Sequence, residues 1–202
     1  MLNIKKIFIV AVALLCLSGT AVAQRHIEFR WHGLYCVGDA SFAFNVNRTS
    51  ETGIADTVAG FMPSFSAGYQ FRKEAAVGLG FSYLADPTGG FTQLPVFVEL
   101  RSHLSRNQLT PYTLLQVGYS LPLGSSSEPP SAKIEEGGLY LGFEVGARYA
   151  FSRSFAIGLH GGYKLLKSNK VQRTDALNMP ILTEAVTLSM LNFGLSFYLS
   201  GD

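Results

Sequence analysis

The stretch Leu139-Tyr140-Leu141-Gly142-Phe143-Glu144-Val145-Gly146-Ala147-Arg148-Tyr149-Ala150-Phe151 alternates between two unlike sets of residues. Leu139, Leu141, Phe143, Val145, Ala147, Tyr149 and Phe151 take one face; Tyr140, Gly142, Glu144, Gly146, Arg148 and Ala150 take the other. Side chains that change face at every residue belong to an extended strand, since a helix brings residues back to one face about every 3.6 positions. Here one face is apolar throughout and the other is small or charged.

The pattern recurs along the chain. Residues 155–166 set Phe155, Ile157, Leu159, Tyr163 and Leu165 against Ala156, Gly158, His160, Gly162 and Lys164. Six further segments read the same way, at 34–46, 58–72, 75–85, 92–104, 111–122 and 185–200. In the last of these Val186, Leu188 and Met190 depart from the alternation, which predicts a bulge or a protrusion beyond the membrane. The reading therefore predicts an all-β chain of eight strands. Its connections alternate in length: those near 73–74, 105–110 and 152–154 are tight, while those near 47–57, 86–91, 123–137 and 168–184 are mostly longer. Ser125-Ser126-Ser127-Glu128-Pro129-Pro130 in the third long connection cannot continue a strand. Short turns at one end and long loops at the other are the plan of an antiparallel up-and-down transmembrane β-barrel, with periplasmic turns and extracellular loops.

A soluble eight-stranded barrel with its apolar face inward is the competing reading. Three features speak against it. The face opposite the apolar one is Gly, Ala and Ser with few charges, which is poor cover for a water-facing surface. Gly78, Gly80, Gly118, Gly142, Gly146, Gly158, Gly162 and Gly194 all sit on that small face, and an eight-stranded interior has barely room for side chains. Phe71, Tyr83, Tyr112, Phe151, Phe155 and Phe197 fall near strand ends, where a membrane barrel carries aromatic girdles.

The N-terminus fits export. Lys5 and Lys6 precede an apolar run from Ile7 to Leu17, and Ala21-Val22-Ala23 matches the small-x-small cleavage pattern of a signal peptide. The expected organisation is a cleaved signal peptide at 1–23, a short N-terminal segment at 24–33 and a barrel at 34–200. Cys16 does not read as a lipidation site, because Leu14 and Leu15 before it are not small. Cys36 is then the single cysteine left, so no intramolecular disulfide is expected. Of 16 basic residues two are in the leader, leaving 14 against 14 acidic ones. That neutral balance gives no electrostatic case for a nucleic-acid partner. The charged fraction, 15%, is well below the roughly 25% of soluble domains.

The chain resembles the small outer-membrane β-barrel domain family, the eight-stranded porin-like proteins of Gram-negative envelopes. The resemblance rests on Leu94-Pro95-Val96-Phe97-Val98-Glu99-Leu100-Arg101, Pro111-Tyr112, Val117-Gly118-Tyr119, Gly138-Leu139-Tyr140, Gly146-Ala147-Arg148-Tyr149, Gly161-Gly162-Tyr163 and the aromatic last strand. It implies an outer-membrane location in the cell envelope, insertion by the barrel assembly machinery, and a last strand read by that machinery near its terminal aromatic. Here Phe197 and Tyr198 are followed by Leu199-Ser200-Gly201-Asp202. Some eight-stranded barrels act on lipid A acyl chains with an exposed Ser and His, but His103 and His160 both fall on the small face.

No catalytic, cofactor or metal motif emerges. His26, His32, His103 and His160 lack Cys or carboxylate partners at ligand spacing, and no phosphate-binding glycine loop is present. If the small face lines the lumen, Asp39, Glu99, Arg101, His103, Glu144, Arg148, His160 and Lys164 all enter it. Unpaired charges there would be costly, so a salt-bridged plug is expected, with Glu144–Lys164 or Glu144–Arg148 contacts and Glu99 and Arg101 reaching in. The expected role is a non-catalytic envelope scaffold, monomeric in outer-membrane lipid, whose loops 47–57, 123–137 and 168–184 meet a surface ligand. The alternative is a small pore or transporter for apolar or small solutes, with the apolar Leu177, Met179, Pro180, Ile181 and Leu182 of the last loop at its mouth.

Overall fold

The computed structural model describes residues 32–49, 59–72, 74–85, 92–105, 107–124, 132–174 and 180–201. The signal segment, residues 24–31 and the centres of the long loops lie outside these, including Ser126, Leu177 and Met179. Among the described residues no helix is long and apolar enough to cross a membrane.

Ten strand segments follow in order among the described residues: β1 (Gly33–Thr49), β2 (Ala59–Arg72), β3 (Ala75–Ser82), β4 (Leu84–Ala85), β5 (Thr92–His103), β6 (Leu109–Gly124), β7 (Ala132–Glu136), β8 (Gly138–Ala150), β9 (Phe155–Thr174) and β10 (Pro180–Ser200). β4 continues β3, and β7 leads into β8 across Gly137, so the segments form eight staves. Neighbours are antiparallel throughout. β10 pairs with β9 on one side and with β1 on the other, from Tyr35↔Ser200 to Thr49↔Thr187, which closes the barrel. Closure removes the open sheet edge that lipid cannot satisfy. At the seam Gly201 N donates to Leu34 O at 2.9 Å. Gly33 opens β1 at φ 117°, a left-handed conformation that a side chain would strain.

The β3–β4 break has a local cause. The β3–β5 ladder ends at Phe81↔Val96 and pairing resumes at Leu84↔Gln93. Pro95 lies in the skipped stretch, and proline has no N–H to give a ladder. Tyr83 N turns instead to Pro63 O, at 2.9 Å.

The strands run past the limits the alternation suggests. β9 extends to Thr174 and β10 begins at Pro180, so most of 168–184 is hairpin rather than loop. β7 occupies part of 123–137, paired to β9 from Ala132↔Arg173 to Glu136↔Lys170. Period two hides these extensions because the pairing is irregular at Pro180/Leu182 and Glu184/Val186, and an extra residue in a ladder interrupts alternation. The departure at Leu188 and Met190 is not a bulge: pairing with β9 is regular from Val186↔Ser168 to Leu199↔Phe155, and both residues keep inward parity and are buried.

The wall is inverted relative to a soluble barrel. Leu79, Leu159 and Phe193 are 67%, 66% and 58% exposed on the outside, while Ser66, Gln93, Glu99, Gln116 and Ser196 are buried inside. Apolar side chains stand outward on every long stave, a surface matched by lipid. Phe71, Tyr83, Phe151 and Phe197 face outward as expected of girdle residues. Tyr112 does not: it shares inward parity with Leu114 and Gln116 on β6 and is 2% exposed.

Candidate functional site: a charged lumen

The inward side chains fill the barrel in layers. At the loop end Ala43, Met62, Leu84, Phe97, Tyr140, Leu166, Leu188 and Met190 form an apolar plug, with the Phe97 and Tyr140 rings 5.5 Å apart. Leu188 and Met190 are the residues whose parity breaks the outward pattern, and the reason is that they point into this plug. Above it Gln93 bridges Ser120 and Ser168, at 2.6 and 2.9 Å.

The waist holds Asp39, Glu144, His160 and Lys164. Lys164 Nζ lies 3.0 Å from Glu144 Oε1, which also accepts a hydrogen bond from Asn192 Nδ2 at 2.9 Å. His160 Nε2 is 3.7 Å from Glu144 Oε2, and its Nδ1 is 2.8 Å from Ser196 Oγ and 3.9 Å from Asp39 Oδ1. Ser64 Oγ donates to Asp39 Oδ2 at 3.1 Å.

Toward the turn end Arg101 Nη2 pairs with Glu99 Oε2 at 3.2 Å, and Arg101 Nη1 donates to Tyr198 Oη at 2.6 Å. Glu99 Oε1 accepts from Tyr35 Oη at 2.8 Å and from Ser66 Oγ at 3.1 Å. The Arg101 and Arg148 guanidiniums lie 5.0 and 5.4 Å from the centre of the Tyr198 ring. His103 Nδ1 is 3.5 Å from Gln70 Nε2, and its ring is 6.0 Å from that of Tyr112.

The register explains how such side chains fit. Glu144 stands opposite Gly162, Lys164 opposite Gly142, His160 opposite Gly146 and Arg148 opposite Gly158. On other ladders Tyr35 faces Gly68 and Tyr112 faces Gly146. Each long side chain reaches across a position that has none. A Cβ at Gly162 would come within 2.7 Å of Glu144 Cγ, and one at Gly78 within 2.5 Å of Tyr35 Oη.

All eight lumen residues singled out in the sequence lie inside the barrel, but in two groups. Of the two contacts considered for Glu144, the one at 3.0 Å is with Lys164, whereas Arg148 lies over Tyr198. Glu99 and Arg101 pair with each other instead of reaching Glu144, because β5 is separated from β8 by β6. Alternation finds the charged members and passes over the neutral ones: Tyr35, Gln70, Tyr112, Asn192, Ser196 and Tyr198. Their signal was an aromatic or amide at inward parity, in several cases opposite glycine.

Ser196, His160 and Glu144 form a chain of hydroxyl, imidazole and carboxylate. Nucleophilic catalysis needs a substrate at the hydroxyl, and Ser196 is 0% exposed with His160 at 6%. Among the described residues no group of three or more His, Cys, Asp or Glu is arranged to hold a metal ion. What the arrangement achieves is mutual compensation of charges inside a lumen that side chains fill.

The same architecture occurs in solved structures. The outer membrane protein OprG from Pseudomonas aeruginosa superposes with a TM-score of 0.58 at 14% identity, covering 87% of this chain and 100% of its own. The chain has the fold of the eight-stranded outer-membrane β-barrels. Neisserial surface protein A (NspA) is similar at a TM-score of 0.50 and 20% identity, over 84% of this chain and 97% of its own. No family model matches the chain, and no curated protein does.

Proposed function

We propose that this protein is a non-catalytic outer-membrane scaffold, exported by its signal peptide, with a lumen closed by its own side chains. One observation carries the reading. Among the described residues inward groups follow one another from the Met62–Met190 plug, through Lys164 on Met62 and Glu144, and through His160, Ser196 and Tyr112, to the Arg101–Tyr198 layer. The apolar wall supports residence in lipid, and the fold shared with outer-membrane proteins supports which membrane. In this reading the barrel is monomeric and inserted by the barrel assembly machinery. It presents loops 47–57, 123–137 and 168–184 to a surface ligand, and the continuation of β9 and β10 past the barrel favours that role for the last of these.

Density-gradient fractionation of a Gram-negative host tests the location, with the protein expected in the outer-membrane fraction. Orientation is tested in a Cys36→Ala background on intact cells. Cysteine at Ser126 is expected to react with an impermeant thiol reagent and cysteine at Asn107 is not. Inner-membrane recovery, or the reverse labelling, would overturn the reading.

A further inference from the structure

Two places on the outer wall repeat one arrangement at the turn end. β2 finishes through Tyr69 and Phe71 on Arg72, and β8 leads through Tyr149 and Phe151 into the turn that carries Arg153. In both, the two rings stand outward as an edge-on pair with centroids 5.0 Å apart. The planes meet at 62° for Tyr69–Phe71 and at 69° for Tyr149–Phe151. Phe155 adds a third ring to the second pair, 6.0 Å from Phe151. All four paired rings are exposed on the wall, and so are Arg72 and Arg153 beyond them. Ser152 Oγ accepts from the N–H groups of Ser154 and Phe155, at 3.3 and 3.0 Å, which fixes the turn around Arg153. Ser152-Arg153-Ser154 contains no acidic residue, and Arg72-Lys73-Glu74 carries one net positive charge.

We infer that these two places hold anionic phospholipid, each ring pair lying against the glycerol and upper acyl chains and each arginine taking the phosphate. The inference rests on the reading of the barrel as spanning the outer membrane. Aromatic side chains that end an apolar belt sit at headgroup depth. A guanidinium one or two residues beyond them therefore reaches phosphate, which it binds through two parallel N–H groups. A net negative headgroup is favoured over a zwitterionic one, because the latter brings its own ammonium to the same phosphate. Free inorganic phosphate lacks the chains that the rings cover. Attraction of this kind is worth about fivefold in association for each arginine at a charged surface. β9, β10 and β1 separate the ends of β8 and β2 around the wall, so the two sites take separate lipids.

The test uses the mature barrel refolded into bilayers of equal phosphatidylcholine and phosphatidylglycerol. Native mass spectrometry of the released protein counts the lipids it retains. Wild type is expected to retain phosphatidylglycerol in preference to phosphatidylcholine, a readout that needs no variant to fold. Arg72→Gln and Arg153→Gln are each expected to lose one phosphatidylglycerol, and the double variant two. Phe151→Ala leaves every charge in place and is expected to lose one as well, which separates a lipid site from charge alone. Gel mobility without heating checks that each variant is folded. Equal retention of the two lipids by wild type, or an undiminished phosphatidylglycerol count in the double variant, would overturn the inference. So would arginine-dependent sedimentation with purified peptidoglycan in place of lipid retention. A wild-type barrel that did not enter the bilayer at all would overturn the outer-membrane reading, and this inference with it.

Discussion

The two halves of the lumen are closed by different physics. At the loop end the filler is Met62, Leu84, Phe97, Leu166, Leu188 and Met190, which exclude water by shape and dispersion and carry no charge of their own. At the waist and the turn end Glu144 with Lys164 and Glu99 with Arg101 are each enclosed with a counter-charge, beside a second buried group that includes Tyr35, Val37, Tyr112, Leu114 and Tyr198. An apolar plug fails gradually, as methylenes are removed. An ion-paired plug fails abruptly, because removing one partner strands the other in a medium that solvates charge poorly. A barrel interior is thus not polar in order to hold water: the loop end of this one is a small hydrophobic core, and the rest sets a charge network among buried aromatic and aliphatic side chains.

Arg101→Ala should have the largest effect, since it strands Glu99 and deprives Tyr198 of its donor. Urea unfolding of the barrel in detergent is expected to show a loss of about 3–5 kcal/mol. A loss below 1 kcal/mol would mean that water reaches Glu99, and the two halves would then differ less than described. Glu144→Gln comes next, at about 3 kcal/mol, near the low end because the amide can still accept from Asn192. Combining it with Lys164→Met should recover part of that loss, since no charge is then stranded. A double mutant as unstable as the sum of the singles would contradict a coupled pair. The smallest effect belongs to the apolar half: Met190→Leu conserves volume and is expected to cost less than about 1.5 kcal/mol in the same titration. A cost equal to that of Arg101→Ala would erase the contrast.

Much of this was legible in the sequence, and for one reason. A strand with lipid outside and a packed lumen inside writes both environments into alternate positions, so Leu139–Phe151 states its own orientation. The same logic places Glu144 and Lys164 inside. It failed at Tyr112, where an aromatic near a strand end was read by position and not by parity. It failed again in β9 and β10, where the pairing is irregular at Pro180/Leu182 and Glu184/Val186 and the hairpin continues beyond Ser168. Hairpin neighbours narrowed the partner of Glu144 to Lys164 or Arg148, and it is Lys164, but the partition of the other charges was not legible. Which acid meets which base depends on shear and on the sheet order that puts β6 between β5 and β8, and no local pattern encodes that.

The central claim is that the lumen is closed. Planar-bilayer recording of the purified mature barrel tests it most directly, with wild type and Glu144→Gln side by side. A closed lumen predicts no steady single-channel conductance from either, with Glu144→Gln distinguished by its lower stability alone. Steady, ion-selective conductance in the wild type, with a selectivity that Glu144→Gln changes while stability holds, would contradict the account and make the protein a pore.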